Sequence, residues 1–201
     1  MFKGEWFDAE YFGHKPASNP EEIKSNYGRN YGGYNGGYAA SAQFVDWVLG
    51  DYKTKKKKLT VVEIGCAQGH TVMEFRNRGH EAWGYDISPY ILSTALPEAV
   101  PFLSLHDMLE DWGDEQVPTA DLVVSKDVLE HMVNEEQLQE VLIRLTNTFT
   151  PKAQYHVVNT GQHLYQAYGG DMSHGLQLPL TRWQAIADDL KLDCKFVFKE
   201  T

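Results

Sequence analysis

The chain has little cysteine, no long apolar run and too few cations to balance its acids. Only Cys66 and Cys194 occur among the 201 residues. They match no metal-ligand spacing and no disulfide framework, so a reducing, cytoplasmic setting is expected. The opening Met1-Phe2-Lys3-Gly4-Glu5-Trp6 lacks an apolar signal core. No stretch reaches the roughly 18 apolar residues of a membrane span, so no membrane association is expected. Eighteen Lys and Arg against 28 Asp and Glu leave a formal charge of -10. An acidic surface repels phosphate backbones, which argues against nucleic acid and for a small, neutral or cationic substrate. What is present suffices for one globular unit: apolar residues make up 42% of the chain, enough for a core.

Residues 1–37 are rich in Tyr, Gly, Asn and Pro and show no periodicity. The run from Asn26 to Gly37 is a loop by its glycines. Its tyrosines suit a lid that closes over a ligand, or an ordered loop whose rings pack on the core. A helical pattern follows from about Tyr38 to Leu49, with Phe44, Val45, Val48 and Leu49 on one side. The basic run Lys53-Thr54-Lys55-Lys56-Lys57-Lys58 reads as a solvated loop before a buried strand.

From Leu59 onward, apolar runs alternate with helical segments. Strands are expected at Leu59–Ile64, Ala82–Asp86, Pro101–Leu105, Ala120–Ser125, Tyr155–Asn159 and Cys194–Phe198. Helices are expected at Gly69–Arg78, Pro89–Ala95, Glu135–Asn147 and Thr181–Leu190. This alternation predicts an α/β fold with a mostly parallel sheet covered on both faces. One domain is expected over residues 1–201, with an N-terminal lid and helix over 1–50 and a Rossmann-like core over 59–201.

The chemistry concentrates in Val61-Val62-Glu63-Ile64-Gly65-Cys66-Ala67-Gln68-Gly69-His70-Thr71. Small residues at Gly65, Ala67 and Gly69, between a strand and a helix, permit a tight turn and close approach of a ligand. The helix start offers unpaired N–H groups. Asp86, in Tyr85-Asp86-Ile87-Ser88 at the end of the next strand, is placed to accept both hydroxyls of a ribose. NAD-binding folds share these two features. The spacing Gly-x-Ala-x-Gly, with Glu63 just before it, is hostile to a pyrophosphate and suits a ligand carrying an ammonium and a sulfonium.

These residues resemble the class I S-adenosylmethionine-dependent methyltransferases. Glu63, Gly65, Ala67 and Gly69 match the family's first motif except for Ala at the middle glycine. Asp86 matches its ribose ligand, and Asp107 and Met108, after the third strand, its adenine contacts. Asp121-Leu122-Val123-Val124-Ser125-Lys126-Asp127-Val128-Leu129-Glu130-His131 matches its fourth-strand motif. The resemblance covers about residues 59–160. A narrower likeness, carried by Tyr31-Gly32-Gly33-Tyr34, Glu63–Ala67 and Asp171-Met172-Ser173-His174, is to methyltransferases of glycan and secondary-metabolite genes. The resemblance implies a Rossmann-like three-layer sandwich, S-adenosyl-L-methionine as cofactor and S-adenosyl-L-homocysteine as product. The implied cofactor set is Tyr31, Tyr34, Glu63, Gly65, Ala67, Gln68, Gly69, His70, Asp86, Ile87, Asp107, Met108 and Lys126. The family's seventh strand, antiparallel beside the fifth, has no counterpart in the pattern; either it is absent or the chain is a fragment.

Methyl transfer from a sulfonium is an in-line displacement in which positioning does much of the work. A base is needed only where the acceptor is a hydroxyl that must lose its proton. His174 and His131 are the catalytic candidates, each with the alternative of a locally hydrogen-bonded loop residue; His163 is weaker. Asp171, His174 and His163 have metal-ligand chemistry, but nothing fixes their geometry and no metal is expected. Trp83 reads as core, and Trp112 as either core or a flank of the adenine. No Asn-Pro-Pro-Tyr tetrad and no Pro-Cys nucleophile follows the fourth strand. The expected activity is therefore methylation of a small molecule, at an oxygen of a sugar or metabolite, by a monomer or homodimer. The rivals are an NAD-dependent oxidoreductase, a non-catalytic module that binds the cofactor, and an aminopropyl transferase.

Overall fold

In the computed structural model, the strand segments fall where unbroken apolar runs demand burial on both sides. The structure describes residues 3–15, 37–113, 117–158 and 173–198, except for the side chains of Tyr38 and Phe198. Six strands occur among them: β1 (Thr60–Ile64), β2 (Glu81–Asp86), β3 (Leu103–Leu105), β4 (Leu122–Lys126), β5 (Ala153–Val158) and β6 (Cys194–Phe198). They form one sheet in the order β3-β2-β1-β4-β5-β6. Every pairing is parallel, where the sequence led us to expect a mostly parallel sheet. β6 lies directly on β5, in the position where the resemblance would insert an antiparallel strand.

Alternation along each strand divides the core into two layers. Val62, Ile64, Val123 and Val158 face α4 (Glu135–Phe149) and α5 (Leu180–Asp189), meeting Leu138, Leu142, Leu145, Trp183 and Ile186. Val61, Leu122, Val124 and Tyr155 face α1 (Tyr38–Asp51) and α2 (His70–Asn77), meeting Phe44, Val45, Val48, Val72 and Phe75. The result is a three-layer sandwich. Trp183, fully buried, satisfies its indole by donating to the Leu178 carbonyl at 3.1 Å. Asn134 caps α4, its Oδ1 accepting from Gln137 N–H at 2.9 Å. A short helix, α3 (Pro89–Ser93), is capped by Ser88 in the same way.

The lysine run is exposed throughout. Lys56 pairs with Asp121 and Lys58 with Glu81, so the loop is tied to residues at the starts of the strands. At the other end of the chain's first half, residues 3–15 fold back as a compact segment containing a 3-10 turn, Gly4–Trp6. Asp8 Oδ1 accepts from the N–H groups of Glu10 and Tyr11 at 3.0 and 3.1 Å. Tyr11 and Phe12 pack on Ile91 of α3, with Trp6, Phe7, Tyr90 and Ala67 around them. No helix among the described residues is long and apolar enough to cross a membrane.

Candidate active site

Parallel strands carry their loops to one edge, and the strand order reverses at β1, which lies between β2 and β4. Ligands of open α/β sheets sit at such a switch point, beyond the carboxyl ends of the strands. The turn after β1 is built for that position. Gly65 and Gly69 have φ of +70° and +84°, and Ala67 adopts φ +46°. A left-handed conformation costs a residue with a side chain about 1–2 kcal/mol, so the one departure from glycine carries strain. The turn is held by the N–H groups of Gly65 and Cys66, which donate to the Tyr85 carbonyl at 2.7 and 3.1 Å. Gly65 has no room for a methyl: a Cβ there would lie 2.2 Å from Val128 Cγ2.

Asp86, 8% exposed, faces this turn. Its Oδ2 accepts from Ala67 N–H and its Oδ1 from Ser88 N–H, both at 2.8 Å. Burial pushes its carboxyl up to about 6, against the pull of the N–H groups of Ser88, Ala67 and Ile87. Beside it, Gly4 lies against Ile87, whose carbonyl would be 2.2 Å from a Cβ at residue 4.

Glu63 differs from the sequence expectation. The carboxyl does not open into a solvent-facing pocket; it is 3% exposed and lies against the first turn of α2, by the Thr71 hydroxyl and Val72 N–H. Burial pushes it up to about 8, opposed by the Lys126 ammonium and the Thr71 hydroxyl, while Asp86 adds to the rise. Its Oε2 has no hydrogen-bond partner among the described residues. Lys126, at the end of β4, also acts on His70, whose ring is held below its ordinary value by burial first and by that ammonium second. Thr71, not anticipated as part of the site, donates to Ser41 Oγ of α1 at 3.2 Å and so links the two helices under the turn.

The raised Glu63 carboxyl has a measurable consequence. Its folded value of about 8 lies well above the ordinary glutamate value of 4.5, so the protonated form favours the folded state. That contribution is complete below the unfolded value and is lost as pH rises through the folded one. Glu63→Gln keeps the acceptor oxygen and cannot titrate. It should be more stable than the parent at about pH 8.5 by on the order of a few kcal/mol, the gap closing toward about pH 5. Scanning calorimetry of both proteins across that range checks this; a pH-independent gap would refute it.

Other assigned residues have local duties. Gln68 Nε2 donates to Thr94 Oγ1 at 3.1 Å, and its carbonyl accepts from Leu96 N–H at 3.0 Å, tying the turn to the end of α3. Asp107 Oδ1 accepts from Leu109 N–H at 2.9 Å, and Met108 packs on the larger core layer. Trp83 packs there as well. Trp112 is core: 6% exposed, edge-on to Tyr85 and Phe149 at 4.8 Å each, with His106 stacked on it at 3.7 Å. Tyr31, Tyr34, His163 and Asp171 lie outside the described residues.

The two candidate histidines, 43 positions apart in the chain, come together. The ring centroids of His131 and His174 are 4.8 Å apart. His131 ends a 3-10 turn, Leu129–His131, that begins just after Val128, the residue seated on Gly65. Its Nδ1 is 2.8 Å from Ser173 Oγ and 3.3 Å from the Ser173 carbonyl. Phe7 and Tyr11 of the N-terminal segment stand edge-on to it, at 5.5 and 6.5 Å. Sequence reasoning singled out the tyrosines of 26–37, of which 26–36 lie outside the described residues, and did not mark Phe7 or Tyr11. It also missed Asp127, which turns the chain at the end of β4 with φ +57° and donates its N–H to the Val157 carbonyl at 2.9 Å. Among the described residues no group of three His, Cys, Asp or Glu is placed to hold a metal.

The strand order alone is shared with dinucleotide-binding folds, so the deciding observation comes from comparison. Residues 62–155 match the model of the family described as a methyltransferase domain. Over that span the chain is similar to methyltransferase domains. Among solved structures, it is similar to an S-adenosylmethionine-dependent methyltransferase from Archaeoglobus fulgidus (19% identity, 77% of this chain and 69% of that one, TM-score 0.59). It is also similar to a cyclopropane-fatty-acyl-phospholipid synthase-like protein from Lactobacillus casei (16%, 77% and 67%, TM-score 0.54). A third likeness is to an S-adenosylmethionine-dependent methyltransferase from Clostridium acetobutylicum (16%, 59% and 48%, TM-score 0.44). The match thus spans about half the length of the Clostridium protein. Comparison with curated proteins finds no match.

The cofactor of the methyltransferase domain is S-adenosylmethionine, and the residues present fit it. The unpartnered Oε2 of Glu63, beneath the turn, suits a ligand that brings an ammonium to it. Asp86 stands where a ribose would lie, at the end of β2.

Proposed function

We propose that this methyltransferase domain methylates a hydroxyl of a small acceptor, a sugar or related metabolite, and releases S-adenosylhomocysteine. The observation that carries this reading is the convergence of His131 and His174, 4.8 Å apart, on a turn that is itself seated on Gly65. The cofactor supplies an already activated methyl group on its sulfonium. The chain's own work is to position the partners and to accept a proton. Asp86 holds the ribose, while Gly65, Ala67 and Gly69 let the ligand approach the backbone. Glu63 acts from beneath the turn on the amino-acid end, with Lys126 setting its charge. His70, Ile87, Gln68, Asp107 and Met108 complete the rim; Tyr31 and Tyr34 are assigned to the cofactor by the sequence resemblance alone.

His131 is the better placed base. With Nδ1 protonated, the ring donates to Ser173, and Nε2 carries the lone pair that takes the hydroxyl proton. His174, against its ring, orients the acceptor. The -10 charge of this chain disfavours nucleic acid as the acceptor.

The test is incubation with S-adenosylmethionine and a panel of sugars and hydroxylated metabolites. A product heavier by one methylene, with stoichiometric S-adenosylhomocysteine, is expected. Tight binding of S-adenosylhomocysteine without turnover across a broad panel would instead mark a non-catalytic module. In the same preparation, Asp86→Ala should weaken S-adenosylhomocysteine by about 1–3 kcal/mol, the cost of unmaking hydrogen bonds to a charged group. An unchanged dissociation constant by calorimetric titration removes the ribose contact.

A further inference from the structure

The N-terminal segment, residues 3–15, touches three parts of the site at once. Gly4 is pressed on the Ile87 carbonyl. The Ser88 hydroxyl donates to the Phe7 carbonyl at 2.5 Å. The Phe7 ring stands edge-on to His131 at 5.5 Å and to Tyr11 at 4.8 Å. Ala67, at the middle of the ligand turn, packs into the same aromatic cluster. One short peptide thus joins the end of β2, the glycine turn and the histidine turn after β4. Its apolar contacts form a cluster separate from both main core layers. Such a unit opens at a lower free energy than the global fold.

We propose that this segment is the outer wall of the cofactor site and that its seating on Ile87, Ser88 and His131 sets how fast the S-adenosyl ligand leaves. The proposal rests on the cofactor reading. A ligand running from Asp86 across Ala67 toward His131 follows the line of the segment's own contacts, so it departs only when the segment lifts. Phe7 is the positioning residue at the junction, its carbonyl on the cofactor side and its ring on the histidine side.

Gly4→Val offers a selective lever. The backbone of Gly4 is not left-handed, so valine meets no conformational penalty there, only the Ile87 carbonyl. Both core layers are untouched. Phe7→Ala tests the other contact. The probe is S-adenosylhomocysteine on the full chain, with association and dissociation rates measured separately by surface plasmon resonance. Each variant is expected to raise the dissociation rate by roughly tenfold, with association unchanged or faster, because lids act on release. Dissociation rates within about twofold of the parent in both variants would overturn the proposal and leave the cofactor reading intact. So would a fall only in the fraction of binding-competent molecules, which is what a purely structural role predicts. Failure of the parent chain to bind S-adenosylhomocysteine would overturn both.

Discussion

His131→Ala is expected to lower turnover by about 10²–10⁴-fold, the usual contribution of a positioned general base, while S-adenosylhomocysteine affinity falls by no more than the roughly tenfold expected of Phe7→Ala. Its Nδ1 lies on Ser173, and its ring reaches the cofactor side through the edge of Phe7. Removing it therefore strips the acceptor of its proton sink and leaves the ribose and glycine contacts in place. His174→Ala is expected to act in the same direction. Since the two rings touch, the double variant should cost less than the product of the singles. Steady-state kinetics with the acceptor found by the panel, paired with calorimetric titration, separates the two readouts. Full activity in both single variants would take the histidines out of the mechanism.

Gly65→Ala is expected to destabilise the fold by roughly 2–5 kcal/mol. Overpacking costs about 1–3 kcal/mol and the left-handed backbone about 1–2 kcal/mol more. The clash has a named partner, Val128 Cγ2 at 2.2 Å from the new methyl. Adding Val128→Ala should recover the overpacking share and leave the backbone share, so the double variant falls between the parent and Gly65→Ala. Urea unfolding measures all of these. A single variant within about 0.5 kcal/mol of the parent would mean that the β4 turn does not rest on the glycine turn.

Periodicity and propensity were enough to locate the strands and helices. The run Val61–Ile64 is apolar except for Glu63 because both faces of β1 are covered, and the amphipathic spacing of Leu138, Val141, Leu142 and Leu145 made α4 legible. The glycine spacing and Asp86 placed the ligand edge, since turn chemistry is local. Contacts across long separations were not readable. Ser173 reaches back 42 residues to His131, and Ser88 reaches 81 to Phe7. No spacing rule carries that information. The surroundings of the Glu63 carboxyl were not readable for a related reason. Its neighbours in sequence point to a cofactor, whereas strand alternation turns its side chain under α2, toward Thr71. The tyrosines of 26–36 lie outside the described residues, and the aromatic cluster at Phe7 and Tyr11 had no sequence pattern to mark it.

The lysine-rich loop sits at the amino ends of the strands, the rim remote from the chemistry. Its ion pairs with the half-buried Asp121 and the exposed Glu81 are made by exposed lysines and weaken first as ionic strength rises. The opposite rim is held by buried hydrogen bonds and close steric fits, which mobile ions scarcely reach. The domain therefore has an expendable pole and a guarded one, and a tether, tag or fused partner attached through the lysines would leave the working face turned outward.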